Sequence, residues 1–160
     1  ESAPRHLKFS GDGRFLYVVH EQKNTVEVYS YKEENDIPEF EKIQTIPTCE
    51  TDDTQGIATS ALNFSEDFNY LLSSSVGEND VDIYRVDKET GLLKKILGLP
   101  VAGEYPKDAA LFPDNRHLVS LNHESNDMTF FTVNMEKGTL VMNGAAIKVD
   151  QPNCIVFHKI

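Results

Sequence analysis

The sequence is short of cysteine, of positive charge and of long apolar runs, and each shortage excludes something. Two cysteines, Cys49 and Cys154, are too few for a disulfide scaffold and show no C-x-x-C spacing. They read as free thiols of a reducing cytoplasm. Lys and Arg total 15 against 26 Asp and Glu, a formal net charge of −11. Nucleic acid and anionic membranes reward clustered cations, so neither is expected as a partner. No apolar stretch approaches the roughly 18 residues a spanning helix needs. There is no G-x-S-x-G elbow, no phosphate loop and no H-x-x-x-H spacing for zinc, so neither a metal nor a cofactor is expected. The acidic run Glu50-Thr51-Asp52-Asp53 lacks the spacing of a calcium loop and reads as a solvated insertion. Asn63-Phe64-Ser65 fits a glycosylation sequon, but it falls at a predicted strand turn and nothing implies secretion. The chain opens on Glu1 with no methionine and no charged-then-apolar leader, which reads as a piece of something longer.

What is present is a repeat. The 160 residues are 39% apolar and 26% charged, ordinary for a globular chain. Pro4 to Val19 has echoes at Thr59 to Leu72 and at Pro106 to Val119, and a fourth copy starts at Pro152. With Phe9, Phe64, Leu111 and Phe157 as anchors, the spacings are 55, 47 and 46 residues, and Asp12, Asp67 and Asp114 each follow an anchor by three. Each unit reads as short strands joined by polar turns. The alternating third strands are Thr25–Tyr31, Val81–Val86 and Met128–Val133. No helical stripe with caps occurs. Four strands in about 46 residues is the period of a β-propeller blade.

The expected fold is therefore all-β, with blades of four antiparallel strands at about 4–58, 59–105 and 106–151 and a closing strand of the next blade at 152–160. Three blades do not close a ring, so the open edges are expected to need the remainder of the propeller or a second copy.

Aligned by blade, the wording resembles a known family. Residues 3–21, APRHLKFSGDGRFLYVVHE, are similar to the G-P-R-H-L-x-F-x-P-D-G-[KR]-x-x-Y-V-x-N-E stretch of the seven-bladed propeller lactonases of the 6-phosphogluconolactonase type. Val81 to Leu93 resembles that family's V-x-[VI]-[FY]-R-V-D-x-x-T-G-x-L, and Gly103 to Asp108 its G-x-x-P-R-[DNH]. Pro152 to Phe157 looks like a P-x-C-[VI]-x-F found near the family's C-terminus, which would make this chain the C-terminal half of a longer protein.

The resemblance implies hydrolysis of a sugar-derived lactone, such as 6-phosphogluconolactone of the pentose phosphate pathway, at the mouth of the propeller channel. Carried over by position, Arg5, His6 and Glu21 would be catalytic: His6 activating water, Glu21 orienting it, Arg5 holding an oxygen. Lys107, Asn122, His123 and His20 would help bind a small anionic lactone. A plainer reading stands beside each: arginine and glutamate are commonly solvated surface groups, and a strand-end histidine is often only a turn hydrogen-bonder. The departures also matter. Asn63 stands where the family has histidine, Ser75-Val76 where it has Asn-Arg, Lys107 for arginine and His123 for glutamine. These favour the rival reading, a non-catalytic propeller that binds a protein or a small anionic ligand.

Overall fold

The computed structural model describes residues 2–51 and 54–157. It contains three antiparallel sheets, each four strands wide in sequence order. The first blade is β1 (Pro4–Phe9), β2 (Phe15–His20), β3 (Thr25–Glu34) and β4 (Ile37–Pro47). The second is β5 (Ala58–Phe64), β6 (Tyr70–Val76), β7 (Asp80–Val86) and β8 (Leu93–Pro100). The third is β9 (Pro106–Leu111), β10 (His117–Asn122), β11 (Asp127–Asn134) and β12 (Thr139–Met142), with the two-residue β13 (Ile147–Lys148) also pairing β11. The first strands of successive blades, β1, β5 and β9, lie side by side and form a common inner edge. This is part of a β-propeller.

Strand alternation explains how the blades stack. In β2, Phe15, Tyr17 and Val19 point one way, and with Val26 and Val28 they pack on Leu62, Leu71, Tyr84, Val86 and Leu93 of the second blade. The second blade's opposite face presents Leu72, Val81, Ile83 and Leu97 to Ala109, Leu111, Leu118, Phe131 and Val133 of the third. A strand covered on both faces loses its polar side, which is why β6 reads Leu71-Leu72-Ser73-Ser74 without clean alternation. The first blade has one covered face among the described residues: Leu7 is 58% exposed and Phe9 43%.

The repeated aspartates build the first turn of each blade. Asp12 Oδ1 accepts from Arg14 N at 3.1 Å, Asp67 Oδ1 from Asn69 N at 3.0 Å and Asp114 Oδ1 from Arg116 N at 2.8 Å. The residue just after each aspartate takes a positive φ: Gly13 at 74°, Phe68 at 57°, Asn115 at 54°. A second repeated device, not singled out in the sequence, is an asparagine in the turn between the second and third strands. Asn24, Asn79 and Asn126 all sit near φ +50° to +56°. Their side-chain oxygens accept from Thr59 N at 2.9 Å, Tyr105 N at 2.9 Å and Gln151 N at 3.1 Å, so each blade grips the entry to the next.

Two expectations change. β3 and β4 run past the predicted end at Tyr31 into a long exposed hairpin around the Asn35-Asp36 turn, both of whose residues adopt positive φ. Residues 152–157 carry no strand. They still lie along the third blade: Ile155 joins the Ala110, Val119 and Leu121 cluster, and Phe157 stacks on Phe112 at 4.7 Å. Asp52, Asp53 and 158–160 lie outside the described residues, so the acidic insertion and the end of the closing segment are described only in part.

Candidate functional site

The site is built where the inner strands begin. A register shift between Pro4 and His6 leaves Arg5 without a paired partner on β2. Its Nη1 donates to Oε1 of Glu21, the residue just after β2, at 3.0 Å. Glu21 is itself fixed by its backbone, whose N donates to Ala3 O at 2.9 Å. Arg5 Nε is buried with no protein partner, a donor left over once the carboxylate has been engaged. His6 follows directly. Burial lowers its pKa below the ordinary 6.5, and the Arg5 guanidinium lowers it further, against the opposing pull of Asp108 and Glu21. Its imidazole is therefore neutral at pH 7 and able to take a proton.

The same two positions in the other blades show how the site is patterned. Counted from the anchors, Arg5 and Glu21 correspond to Lys107 and His123 in the third blade and to Ser60 and Val76 in the second. In the third blade, Lys107 Nζ lies 5.0 Å from the Tyr105 ring centre, and the His123 ring is 6.0 Å from the same ring. Tyr105 holds a positive φ of 59°, as does Ala3 at 44° and Gln151 at 42°, each immediately before a proline. Three uncommon backbone conformations therefore recur at the entrances of the first, third and following units. The second blade offers a serine, whose Oγ donates to Lys107 O at 3.1 Å, and an apolar valine.

Asp108 is the residue that sequence reasoning left without a role. It is 7% exposed, and its Oδ1 accepts from Asn63 Nδ2 at 2.6 Å while its Oδ2 accepts from Ile155 N at 3.0 Å. It stands three residues before its anchor, as His6 does, and that equivalence was available in the repeat. Asn63, which replaces the family histidine, is thus a bridge between the second and third blades.

Two expected site residues are engaged elsewhere. His20 Nε2 meets Glu27 Oε2 at 3.0 Å, within a group that also holds Tyr29 and Lys42, on the face of the first blade. Asn122 is fully buried: its amide donates to Asp127 Oδ1 at 2.9 Å and Thr129 Oγ1 at 3.2 Å, and its oxygen accepts from Ser120 Oγ at 2.8 Å. The two occupy equivalent positions, eleven residues past their anchors, where a blade ties its second strand to its third. Neither joins Arg5, His6 and Glu21. Arg5 is paired with Glu21, so it presents less free positive charge than an unpaired arginine would.

A cavity of about 570 Å³ is lined along the inner strands by Lys8, Asn63, Phe64, Glu66, Ala110 and Ile155 among others. The family model for lactonases of the seven-bladed β-propeller type matches residues 1–157. The chain belongs to that lactonase family. Among relatives, the chain is 26% identical to a 6-phosphogluconolactonase of Bacillus subtilis over 161 residues, covering 99% of this chain and 45% of that protein. The periplasmic gluconolactonase PpgL of Pseudomonas aeruginosa superposes with a TM-score of 0.84 at 28% identity, covering 96% of this chain and 42% of that one. A putative 6-phosphogluconolactonase of Bacteroides fragilis gives 0.81 at 29% identity, with 96% and 41% covered. The chain spans less than half the length of these relatives, the share that three blades take of a seven-bladed ring.

Proposed function

We propose that the chain supplies part of the active site of a lactonase that opens a sugar-derived lactone, of the 6-phosphogluconolactone type, at the mouth of the propeller channel. The observation that carries this reading is the adjacency of a neutral His6 to an Arg5 held by Glu21 with its Nε donor unused. Water attacks the lactone carbonyl carbon while His6 takes the water's proton. The carbonyl oxygen becomes an oxyanion, which the free Arg5 donor stabilises. Collapse of the tetrahedral species breaks the ring carbon–oxygen bond, and the imidazolium returns its proton to the departing alkoxide. Glu21 keeps the guanidinium oriented throughout. Lys107 and His123, on the equivalent positions of the third blade, line the far side of the same mouth.

The remaining blades, or a second copy, cover the exposed face that carries Leu7 and Phe9. The two free thiols, Cys49 and Cys154, favour the cytoplasm as the compartment. The rival reading, a binding propeller without catalysis, draws on Val76, which breaks the ring of polar groups in the second blade. Hydrolysis of 6-phosphogluconolactone and glucono-δ-lactone by the native full-length polypeptide decides between them. Turnover that falls by at least about a hundredfold in Arg5→Ala and His6→Ala, the order for general-base and oxyanion groups, supports the lactonase. No rate above buffer on any sugar lactone leaves the binding propeller.

A further inference from the structure

The cavity along the inner strands contains a cation that the lactonase chemistry leaves unused. Lys8 lines it, is exposed, and has no carboxylate within 4 Å among the described residues. Its placement follows from the register of β1. His6 pairs with Val19 and Lys8 with Tyr17, and both partners point into the seam with the second blade. His6 and Lys8 therefore project from the same side of one strand. Leu7 and Phe9 project from the other.

Two residues along a strand advance about 7 Å. That is close to the span from the carbonyl carbon of a six-membered lactone to a substituent on its exocyclic carbon. Lys8 is near enough to lower the pKa of His6 through its charge, so the two heads share one electrostatic environment. The other cations of the site are less free. Arg5 is tied to Glu21, and Lys107 sits over the Tyr105 ring. Glu66 lines the same cavity from the turn after β5 without an ion pair to Lys8.

We infer that Lys8 is a specificity residue which reads an anionic group on the exocyclic carbon of the lactone, a phosphate ester, while the carbonyl sits at Arg5 and His6. This rests on the lactonase reading of the preceding section. An ammonium on a flexible stem suits a phosphate as a point charge, and its removal should be felt by one class of substrate only.

The test compares wild type with Lys8→Met and Lys8→Arg in the native full-length polypeptide, on 6-phosphogluconolactone and glucono-δ-lactone. Lys8→Met is expected to lose at least about tenfold in kcat/KM on the phosphorylated lactone, mainly through KM, the order for a lost hydrogen bond to a charged group. The unphosphorylated lactone should change by less than about twofold, and Lys8→Arg should restore most of the loss. An equal loss on both lactones, no loss on either, or a preference abolished by Lys107→Met but kept in Lys8→Met overturns the assignment. Calorimetric titration with 6-phosphogluconate separates this inference from the lactonase reading. A wild type that hydrolyses neither lactone defeats the lactonase, whereas equal affinity of wild type and Lys8→Met for the phosphorylated acid defeats the role of Lys8.

Discussion

The amide of Asn63 donates to the buried carboxylate of Asp108 at 2.6 Å, from the inner strand of one blade to the inner strand of the next. A second bond, from the same nitrogen to Ala109 O at 3.1 Å, fixes its direction. Asp108 in turn holds Ile155 N, so one carboxylate fastens the seams on both sides of the third blade. A charge-assisted bond of this kind is worth about 1.5–3 kcal/mol where its loss leaves a buried carboxylate short of a donor. Asn63→Ala is accordingly expected to lower the unfolding free energy by that amount in urea, with an unchanged slope. A loss below about 0.5 kcal/mol would mean that water replaces the amide at no cost.

How much of this was legible depended on whether a residue acts within its blade or across blades. The turn aspartates recur at a fixed offset and make local bonds, so a repeat reveals them. Asn24, Asn79 and Asn126 recur just as strictly, fifteen residues past their anchors, and were equally readable as a pattern. Their role was not, because their partners Thr59, Tyr105 and Gln151 lie in the following blade. Asp108 shows the same limit: its bonds to Asn63 and Ile155 span 45 and 47 residues. The pairing of Arg5 with Glu21 was anticipated as proximity, while the register shift that frees Arg5 from the ladder leaves no trace in composition or periodicity.

Because partial desolvation and Arg5 depress the His6 pKa below the ordinary 6.5, the imidazole gains its proton at lower pH than a free histidine does. A general base works only when unprotonated, so the acid limb of kcat/KM should be centred below 6.5. Lys8→Met removes one of the charges that depress this pKa, and the acid limb should move upward. An acid limb centred above 6.5 in the wild type would contradict His6 as the base. The same depression sets the sign of the stability effect. The unfolded chain takes up a proton near pH 6.5 before the folded one does, so this group costs stability as pH falls through 6.5.

At the seam between the first two blades the carboxyls titrate in the opposite sense. Burial, with Asp82 and Glu78 close by, pushes Asp80 up to about 7, and burial pushes Asp82 to about 6 despite Lys95 Nζ at 2.9 Å. Both values lie above the ordinary 3.8, so the folded state holds protons that the unfolded chain releases. The stability they contribute is complete below pH 4 and is lost as pH rises through about 6 to 7. Asp80→Asn should leave Tm unchanged at pH 4 and raise it by a few degrees at pH 8, flattening the profile between. A Tm lowered by the substitution at pH 8 would show that the ionised carboxylate is a net stabiliser.

The assignment of Asn122 is open to the sharpest test, since its two possible roles predict different measurements. As a ligand to the substrate it would affect KM and little else. As found, its amide and its oxygen are all committed within the third blade, to Asp127, Thr129 and Ser120, and it is walled in by Gly103, where any Cβ would strike the amide. Asn122→Ala removes three buried hydrogen bonds; Asp127 keeps Ser125 and Lys148 and Thr129 keeps Val101 O, while Ser120 Oγ loses its acceptor, and about 1–3 kcal/mol attends a buried group left unpaired. The expected result is a fall in stability of at least about 2 kcal/mol with KM unchanged for whatever lactone is turned over. Gly103→Ala should reproduce the stability loss with Asn122 retained, because the added Cβ displaces the same amide. A raised KM at undiminished stability in Asn122→Ala would return the residue to the substrate.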